Sequence, residues 1–331
     1  MEPLQNFCHN LHQCSRLRHS TAGPRMWTED DVLDGQPVQA FVVIFQTSGC
    51  FWANHSGCSM CGYFRDSNPN TTDDDLRQQL TVALNRYDGQ LMVKIFTSGS
   101  FFDTQEISPV MQQAILNAFF SRAQQISVET RPEFIGHIHE LRIPPEKQLE
   151  IAMGLESSND RVLEHSITKG FTYTQWRVGA EWVAEAGHLL KVYLLIKPPF
   201  LTEAEAIKDA IFSAHQVADI ANTISFNPVA IHGYTLVDYL WHRGLYRPPW
   251  LWSVIEVLTS SADQVESIIK CDVVAGGTRR GAHNCGNCNG VTLDAIHSFS
   301  LDGDPVIFDD LQCNCREEWM DALELDGFLQ G

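Results

Sequence analysis

The chain has 331 residues, which is long enough for one large domain or two ordinary ones. Its 44% hydrophobic content indicates a globular protein with a sizeable core. The sequence contains no apolar run of about 18 residues, so no membrane span is predicted. The net charge of −18 disfavours nucleic acid as a partner overall, because Lys and Arg drive phosphate binding. The charge is uneven, however: residues 302–326 are strongly acidic, whereas residues 8–25 contain arginines and histidines but no acid. Net charge therefore does not identify the partner.

The ten cysteines are the most informative feature of the composition. The N-terminal residues lack the charged and then apolar layout of a signal peptide, so we expect a protein of the reducing cytoplasm. In that compartment, cysteines more often bind metal or take part in catalysis than form disulfides.

The elements in sequence order predict an α/β protein. Residues 1–36 are predicted to form an N-terminal extension with one short helix between Gln5 and Leu17. From residue 38, apolar strand-like runs alternate with helical stretches, which predicts a parallel sheet with helices outside it. We therefore predict a partial (β/α)6 TIM-like barrel over 37–235, followed by a cysteine-rich C-terminal extension over 236–331. The predicted strands are 38–45, 91–96, 125–130, 149–155, 189–196 and 223–231, and the predicted helices are 73–86, 107–122, 133–142, 174–187 and 203–221.

A loop with three cysteines follows the first predicted barrel strand. Cys50, Cys58 and Cys61 have the spacing C-x7-C-x2-C. Three thiolates can hold three irons of a [4Fe–4S] cluster and leave the fourth iron open to a substrate or cofactor. The alternative is half of a structural zinc site on Cys58 and Cys61, with help from Cys50 or His55.

Polar residues follow each of the other predicted strands. In a barrel of parallel strands, these ends meet at the rim where binding sites lie. Each one alone has a structural alternative, such as a salt bridge or a solvated strand end. Together they predict a binding rim at Ser98, Gly99, Ser100, Glu129, Arg131, Glu156, Lys197 and Asn227.

Each of two segments in the C-terminal extension has two interpretations. The aromatic and arginine-rich segment 239–252 fits either a base-stacking or partner surface, or a seam that packs the extension onto the barrel. The segment from Gly276 to Gly281 fits either a phosphate-binding loop or a flexible turn.

A second cysteine group lies in this extension. Two close pairs are separated by 24 intervening residues and could supply four thiolates to one ion. We predict a structural zinc site with Cys271 outside it; the alternatives are an auxiliary Fe–S cluster and unligated buried cysteines. The predicted ligands are Cys285, Cys288, Cys313 and Cys315.

Residues 38–235 resemble the radical S-adenosylmethionine (SAM) superfamily, in particular its Elp3-like branch. The long first gap between cysteines is typical of that branch. The resemblance implies that Cys50, Cys58 and Cys61 hold a [4Fe–4S] cluster. It also implies that SAM binds along the predicted rim, with segment 98–100 near the methionine amino group and Glu156 near the ribose and adenine.

Within that branch, the segments 57–63 and 274–285 resemble the archaeosine-synthase radical SAM lyase family. The resemblance implies that a C–N bond of the lysine is cleaved in a lysine-modified 7-deazaguanine of tRNA, which leaves archaeosine. It also implies a lysine-transferring partner subunit and an electron donor of the ferredoxin or flavodoxin type. Two other classes stay open: a methylthio- or methyl-transferring radical SAM enzyme of the same branch, and a non-catalytic zinc scaffold protein.

Overall fold

A single eight-stranded sheet organises the protein in a computed structural model, which describes residues 3–15 and 23–328. The strands follow one another in sequence order across the sheet. The first strand pairs antiparallel with the second, and every later neighbouring pair is parallel. The strands are β1 (Arg25–Leu33), β2 (Gln36–Ile44), β3 (Met92–Phe96), β4 (Gln125–Thr130), β5 (Gln148–Glu156), β6 (Leu189–Ile196), β7 (Thr223–Pro228) and β8 (Ile268–Cys271).

Helices connect the parallel strands and begin at clear caps. Thr72, Thr172 and Thr202 each start a helix with a capping box, in which the threonine hydroxyl and the third helical residue satisfy otherwise unpaired backbone amides. The helices are α1 (Pro3–Gln13), α2 (Phe51–His55), α3 (Asp73–Arg86), α4 (Pro109–Phe120), α5 (Asp160–Val162), α6 (Tyr173–Glu185), α7 (Glu203–Val217), α8 (Leu236–Trp241), α9 (Leu251–Ala262), α10 (Asn289–Asp302) and α11 (Cys315–Phe328). A π-helical turn spans Leu163–Ile167, and 3-10 turns span Tyr63–Asp66, Pro132–Glu140 and Pro305–Phe308.

The predicted α/β partial barrel is confirmed, and the sheet has two strands more than predicted. β1 was not predicted because four of its nine residues are charged, so it has no apolar period. β8 has only four residues, too few for a sequence pattern. The predicted helix 133–142 is a 3-10 turn at Pro132–Glu140 instead. The predicted domain boundaries stay predictions, although the sheet crosses both of them.

The inner face of the curved sheet is polar, whereas its outer face is apolar. Asp31 forms ion pairs with Lys94 on β3 and Lys270 on β8. β1, β3 and β8 are not adjacent in the sheet, so these side chains meet across its interior. The residues that alternate with Lys94, such as Val93 and Ile95, are fully buried in the hydrophobic core with the helices. The interior of the partial barrel is therefore a charged chamber.

No helix within the described ranges is both long and apolar enough to cross a lipid bilayer. The basic N-terminal segment is described in part: Arg25 begins β1, while Arg16 and Arg18 lie outside the described residues.

Candidate metal centre and cofactor rim

The cysteine loop lies at the carboxyl edge of the sheet, directly after β2. Two segments distant in sequence hold it. The Ser59 amide donates to the Ile167 carbonyl at 2.9 Å, and the Thr168 hydroxyl donates to the Gly57 carbonyl at 2.8 Å. Gly57 has φ +76°, and an added Cβ there would lie 2.0 Å from the His12 ring of α1. Helix α1 and the π-helical turn therefore hold the loop from two sides.

The three loop cysteines are half-buried, and their thiols are close enough to interact electrostatically. Burial raises the pKa of each of Cys50, Cys58 and Cys61, in the last case to about 12, and the charge of Cys50 further raises the pKa of Cys58 and Cys61. Their thiolates would repel one another, so the free protein keeps these groups as thiols. Metal binding there is expected to release protons, since the thiolate is the ligand.

Two buried cations face the thiols. The Arg131 guanidinium donates to Glu133 at 2.6 Å and to the Lys169 carbonyl at 3.0 Å. The Lys169 ammonium donates to Glu156 at 2.6 Å. Both cations act to lower the pKa of Cys58 against the effect of burial. They would therefore stabilise the negative charge of a thiolate-bound cluster.

Aromatic rings enclose the Arg131 cation. Its guanidinium carbon lies 5.4 Å from the Phe51 ring centre, 5.5 Å from that of Trp52 and 5.0 Å from that of Phe171. Two of these rings come from α2, inside the cysteine loop, and the third follows Lys169. The rings limit water access and fix the cation beside the loop.

The glycine turn after β3 packs directly onto the cysteine loop. An added Cβ at Gly99 would lie 2.8 Å from the Cys50 amide nitrogen and 2.0 Å from Glu106, so only glycine fits here. The Glu106 carboxylate accepts from the Ser100 amide at 2.6 Å and from the Thr47 hydroxyl. Burial raises the Glu106 pKa to about 7, which these hydrogen bonds oppose. Glu106 therefore joins the residues before the cysteine loop to the turn at Ser100.

Glu129 and Glu156 lie at the carboxyl ends of neighbouring strands β4 and β5. Burial raises the Glu129 pKa to about 7, against a hydrogen bond from Tyr193 on β6. Glu156 has φ +75° and forms an ion pair with Lys169. Asn227, on β7, contacts its own strand through a 3.4 Å hydrogen bond to the Ser225 carbonyl. The structure thus brings carboxylates of two strands to one side of the cysteine loop.

The Lys197 side chain forms its contacts away from the cysteine loop. Its ammonium forms an ion pair with Glu203 at the start of α7, and its carbonyl accepts from the Tyr246 hydroxyl at 2.7 Å. Glu203 also accepts from the Trp250 amide at 2.7 Å. The Lys197 side chain thus lies at the junction between the barrel and the C-terminal extension, and its role in SAM binding stays a prediction.

Sequence reasoning missed Lys169, Glu106 and Tyr193. Lys169 and Glu106 lie in irregular segments, where no periodicity marks a buried charge. Tyr193 did leave a signal, because Lys191 and Tyr193 alternate with fully buried apolar residues in a strand expected to be buried on both faces. A polar residue at every second position of such a strand indicates a polar interior.

The four tail cysteines lie together, as their pairing in the sequence predicts. The Sγ atoms of Cys285 and Cys313 are 3.6 Å apart, as are those of Cys288 and Cys315. All four sulfurs lie within 4.8 Å of one another. Cys271 is outside this group, on β8.

Hydrogen-bond donors and helix starts surround the tail sulfurs. Asn284 donates to Cys288 at 3.4 Å, and Trp252 Nε1 donates to Cys315 at 3.3 Å. The Asn287 amide lowers the Cys285 pKa to about 7. Cys288 caps α10 and Cys315 begins α11, so two helix N-termini face the sulfurs. Burial acts in the opposite direction, because it raises the pKa of Cys288 and raises that of Cys315 to about 12. The hydrogen bonds and helix N-termini oppose this effect of burial.

Comparison with known proteins identifies the family. No family model matches the chain. It is 40% identical over 315 residues, covering 92% of this chain and 91% of the relative, to archaeosine synthase subunit beta of Methanosarcina acetivorans. It is 35% identical over 311 residues, covering 90% of this chain and 96% of the relative, to archaeosine synthase subunit beta of Thermococcus kodakarensis.

Solved structures share the fold at low sequence identity. A radical SAM methyltransferase from Sphaerobacter thermophilus is 15% identical, with a TM-score of 0.51 over 78% of this chain and 76% of that one. The Elp3 protein of Methanocaldococcus infernus is 13% identical, with a TM-score of 0.50 over 66% of this chain and 58% of that one. The fold, the cysteine loop at the carboxyl edge of the sheet and the two relatives agree with the resemblance seen in the sequence. The chain belongs to the archaeosine synthase subunit beta family and has the fold of radical SAM enzymes.

Proposed function

We propose that this protein is the radical SAM subunit of a tRNA-modifying archaeosine synthase and acts in the cytoplasm. It would cleave a C–N bond of the lysine in a lysine-modified 7-deazaguanine of tRNA, leaving the amidine of archaeosine on the base. The observation that carries the proposal is the 40% identity to archaeosine synthase subunit beta over 92% of the chain. The partners would be the lysine-transferring subunit and an electron donor of the ferredoxin or flavodoxin type.

The cysteine loop supplies a fitting metal site for this chemistry. Cys50, Cys58 and Cys61 would hold a [4Fe–4S] cluster. When bound, the cluster would supply, through its open iron, the electron that cleaves SAM and so generates the radical for hydrogen abstraction. The buried cations Arg131 and Lys169 would balance the charge of the cluster. The rings around Arg131 would keep water from the cluster.

The residues of the predicted rim would hold SAM. The backbone of segment 98–100 would meet the methionine amino group, because the absence of a side chain at Gly99 permits close approach. Glu129 and Glu156 offer acceptors for ribose hydroxyls and ammonium groups. Arg131 would act through its charge, since Glu133 already occupies its guanidinium. Lys197 and Asn227 would complete the rim in this proposal.

The tail cysteines would hold one zinc ion. A tetrahedral ion with metal–sulfur distances of about 2.3 Å separates its sulfurs by about 3.8 Å, close to the 3.6 Å of the two cysteine pairs. Thiolates on four different irons of a cluster must stand much farther apart. The spacing therefore favours a single ion over an auxiliary cluster, and with it the lyase over sulfur-inserting enzymes that use a second cluster.

The test is a reaction under anaerobic conditions. Reduced enzyme and SAM are incubated with tRNA that carries the lysine adduct, and the digested nucleosides are analysed by mass spectrometry. Conversion of the adduct to archaeosine, with release of 5′-deoxyadenosine, supports the proposal. Release of 5′-deoxyadenosine while the adduct stays intact would show that the substrate is another one.

A further inference from the structure

The aromatic and arginine-rich segment divides into a buried half and an exposed half. From Tyr246 to Trp252 it packs onto the barrel: both of these residues are buried, and the Tyr246 hydroxyl donates to the Lys197 carbonyl. From Tyr239 to Leu245 it is more open: Tyr239 is half-buried and Leu245 is 69% exposed, and Tyr234, just before the segment, is 41% exposed. The seam interpretation therefore describes the second half. In the first half, Leu240 and Trp241 pack partly against the core, whereas residues 242–245 are exposed.

In the exposed half, arginines lie over aromatic rings. The Arg243 guanidinium carbon is 3.4 Å from the Tyr239 ring centre, and that of Arg65 is 4.6 Å from the Tyr234 ring centre. The Arg280 guanidinium carbon is 4.8 Å from the Trp241 ring centre. We call these three pairs, together with Tyr63 and the exposed Arg279 that precedes Arg280, the arginine–aromatic surface.

This surface adjoins the cysteine loop. The Val237 amide donates to the Ser59 carbonyl at 3.2 Å. Tyr63, two residues after Cys61, is 48% exposed, and its ring centre lies 4.9 Å from that of His232. An added Cβ at Gly62 would lie 2.4 Å from His232, so the two segments are in close contact. These contacts place the surface directly beside Cys58 and Cys61 in the chain.

The charge of this surface is opposite to that of the whole molecule. Arg65, Arg243 and Arg279 form no salt bridge in the part of the protein that the structure describes, while Arg280 pairs with Asp238 at 2.6 Å. In a protein of net charge −18, unpaired arginines in one place create a local site for an anion. Their aromatic neighbours add flat faces on which bases can stack.

We infer that the arginine–aromatic surface docks the tRNA substrate, with arginines on phosphates and exposed rings on unpaired bases. This inference rests on the proposed function, since it places that substrate beside the cysteine loop. RNA is favoured over a protein partner because arginine and tyrosine faces together match a phosphate backbone with splayed bases.

The test measures binding without turnover. The double variant Arg243→Gln/Arg279→Gln is compared with Arg86→Gln/Arg142→Gln, in which exposed arginines from the opposite, amino edge of the sheet lose the same charge. Binding of unmodified tRNA is followed by fluorescence anisotropy at several salt concentrations. We expect the first variant to raise Kd about tenfold and to reduce the salt slope by about two. The control should bind like the wild type.

A stacking variant separates rings from charge. Tyr234→Leu should weaken binding about tenfold with an unchanged salt slope, because the Tyr234 side chain is an exposed ring of this surface. Tyr234→Phe, which keeps the ring, should bind like the wild type. Equal effects of the two arginine pairs would overturn the inference, as would variants that lose affinity for the partner subunit and keep it for tRNA.

The inference and the proposed function can fail separately. If the wild type converts the adduct and the Arg243/Arg279 variant binds tRNA normally, the docking surface is wrong and the function stands. If the wild type leaves the adduct intact and this variant still loses tRNA binding, the docking surface stands and the proposed reaction is wrong.

Discussion

The two cysteine groups of this protein use the same side chain in two different ways. The loop thiols Cys50, Cys58 and Cys61 come from a single turn, and buried cations lie beside them. The four tail thiols come from two segments, and their sulfurs are close enough for one ion. In the described side chains, the tail group is the only set of metal-ligand atoms that meets this distance limit. Wider separation with nearby positive charge suits a multi-iron cluster, whereas close contact suits a single structural ion.

The two cysteine groups have different structural requirements. The loop needs an open position and a charged chamber beside it, and it lies at the sheet edge where β3, β4 and β5 deliver polar groups. The tail group needs only a complete set of four ligands around one ion, and it joins the starts of α10 and α11. We propose that the loop group serves chemistry and the tail group serves stability, and the following experiments test that division.

The largest effect is expected from the loop. Changing Cys58 to Ala should lower SAM cleavage by more than about 10³-fold, because the cluster loses one of its three thiolates. Iron content and visible absorbance should fall, while zinc stays at one per protein molecule. The matched control is Cys271→Ala, a buried cysteine outside both groups, which should keep the iron. An intact cluster in a variant lacking all three loop cysteines would contradict the assignment.

A change in the tail cysteine group should have the reverse effect, with loss of zinc and unchanged iron. Cys288→Ser should remove zinc and loosen the structure after residue 270, because metal binding at such sites is coupled to folding. Limited proteolysis should cut in this region, and reconstituted iron should match the wild type. Extra iron and sulfide in the wild-type tail would instead indicate a second cluster.

The ion pairs of Asp31 link β3 of the barrel to β8 of the C-terminal extension. Asp31→Asn leaves Lys94 and Lys270 without their shared carboxylate and should lower the free energy of unfolding by about 3–5 kcal/mol. Burial alone would raise the Asp31 pKa, but the two lysines hold it well below its usual range. The stabilisation is therefore present above about pH 4 and is lost as the pH falls.

Thermal unfolding at several pH values measures this contribution. The wild type should lose stability below about pH 4 more steeply than the variant. Asp34→Asn, an exposed residue in the turn after β1, is the control and should leave the curve unchanged. Equal pH slopes in the wild type and Asp31→Asn would show that these ion pairs contribute nothing.

The smallest effect is expected at Glu106. In Glu106→Gln, an amide group replaces one of the two carboxylate acceptors that hold Thr47 and the Ser100 amide. The turn at Gly99 should shift, and SAM affinity should fall about tenfold, in line with the loss of one hydrogen bond to a charged group. Iron should stay at the wild-type level. Equilibrium dialysis with Glu140→Gln, an exposed carboxylate, as the control gives the comparison; unchanged affinity would rule out this role.

Part of this outcome could be predicted from the sequence. Six of the eight strands, the helix starts at Thr72 and Thr202, and both cysteine groups follow from local spacing and period. β1 and β8 could not be predicted, since β1 is charged and β8 is short. A charged strand is stable here because its charges meet partners from other strands, and those contacts leave no mark in a local pattern.

The sequence by itself determined the order of six of the strands with most of the helices between them, the three-cysteine loop after β2 and the two cysteine pairs of the tail. These features depend on residues that are close together in the sequence, so local periodicity and spacing indicate them. Only the tertiary structure decided which charges face the loop, how close the tail sulfurs come and how the sheet interior is held. Lys169 lies near enough to Cys58 to oppose the rise in its pKa, and Lys270 forms an ion pair with Asp31 from 239 residues away, because tertiary packing brings these side chains together. Contacts over such distances depend on the packing of the whole sheet, which no local pattern encodes.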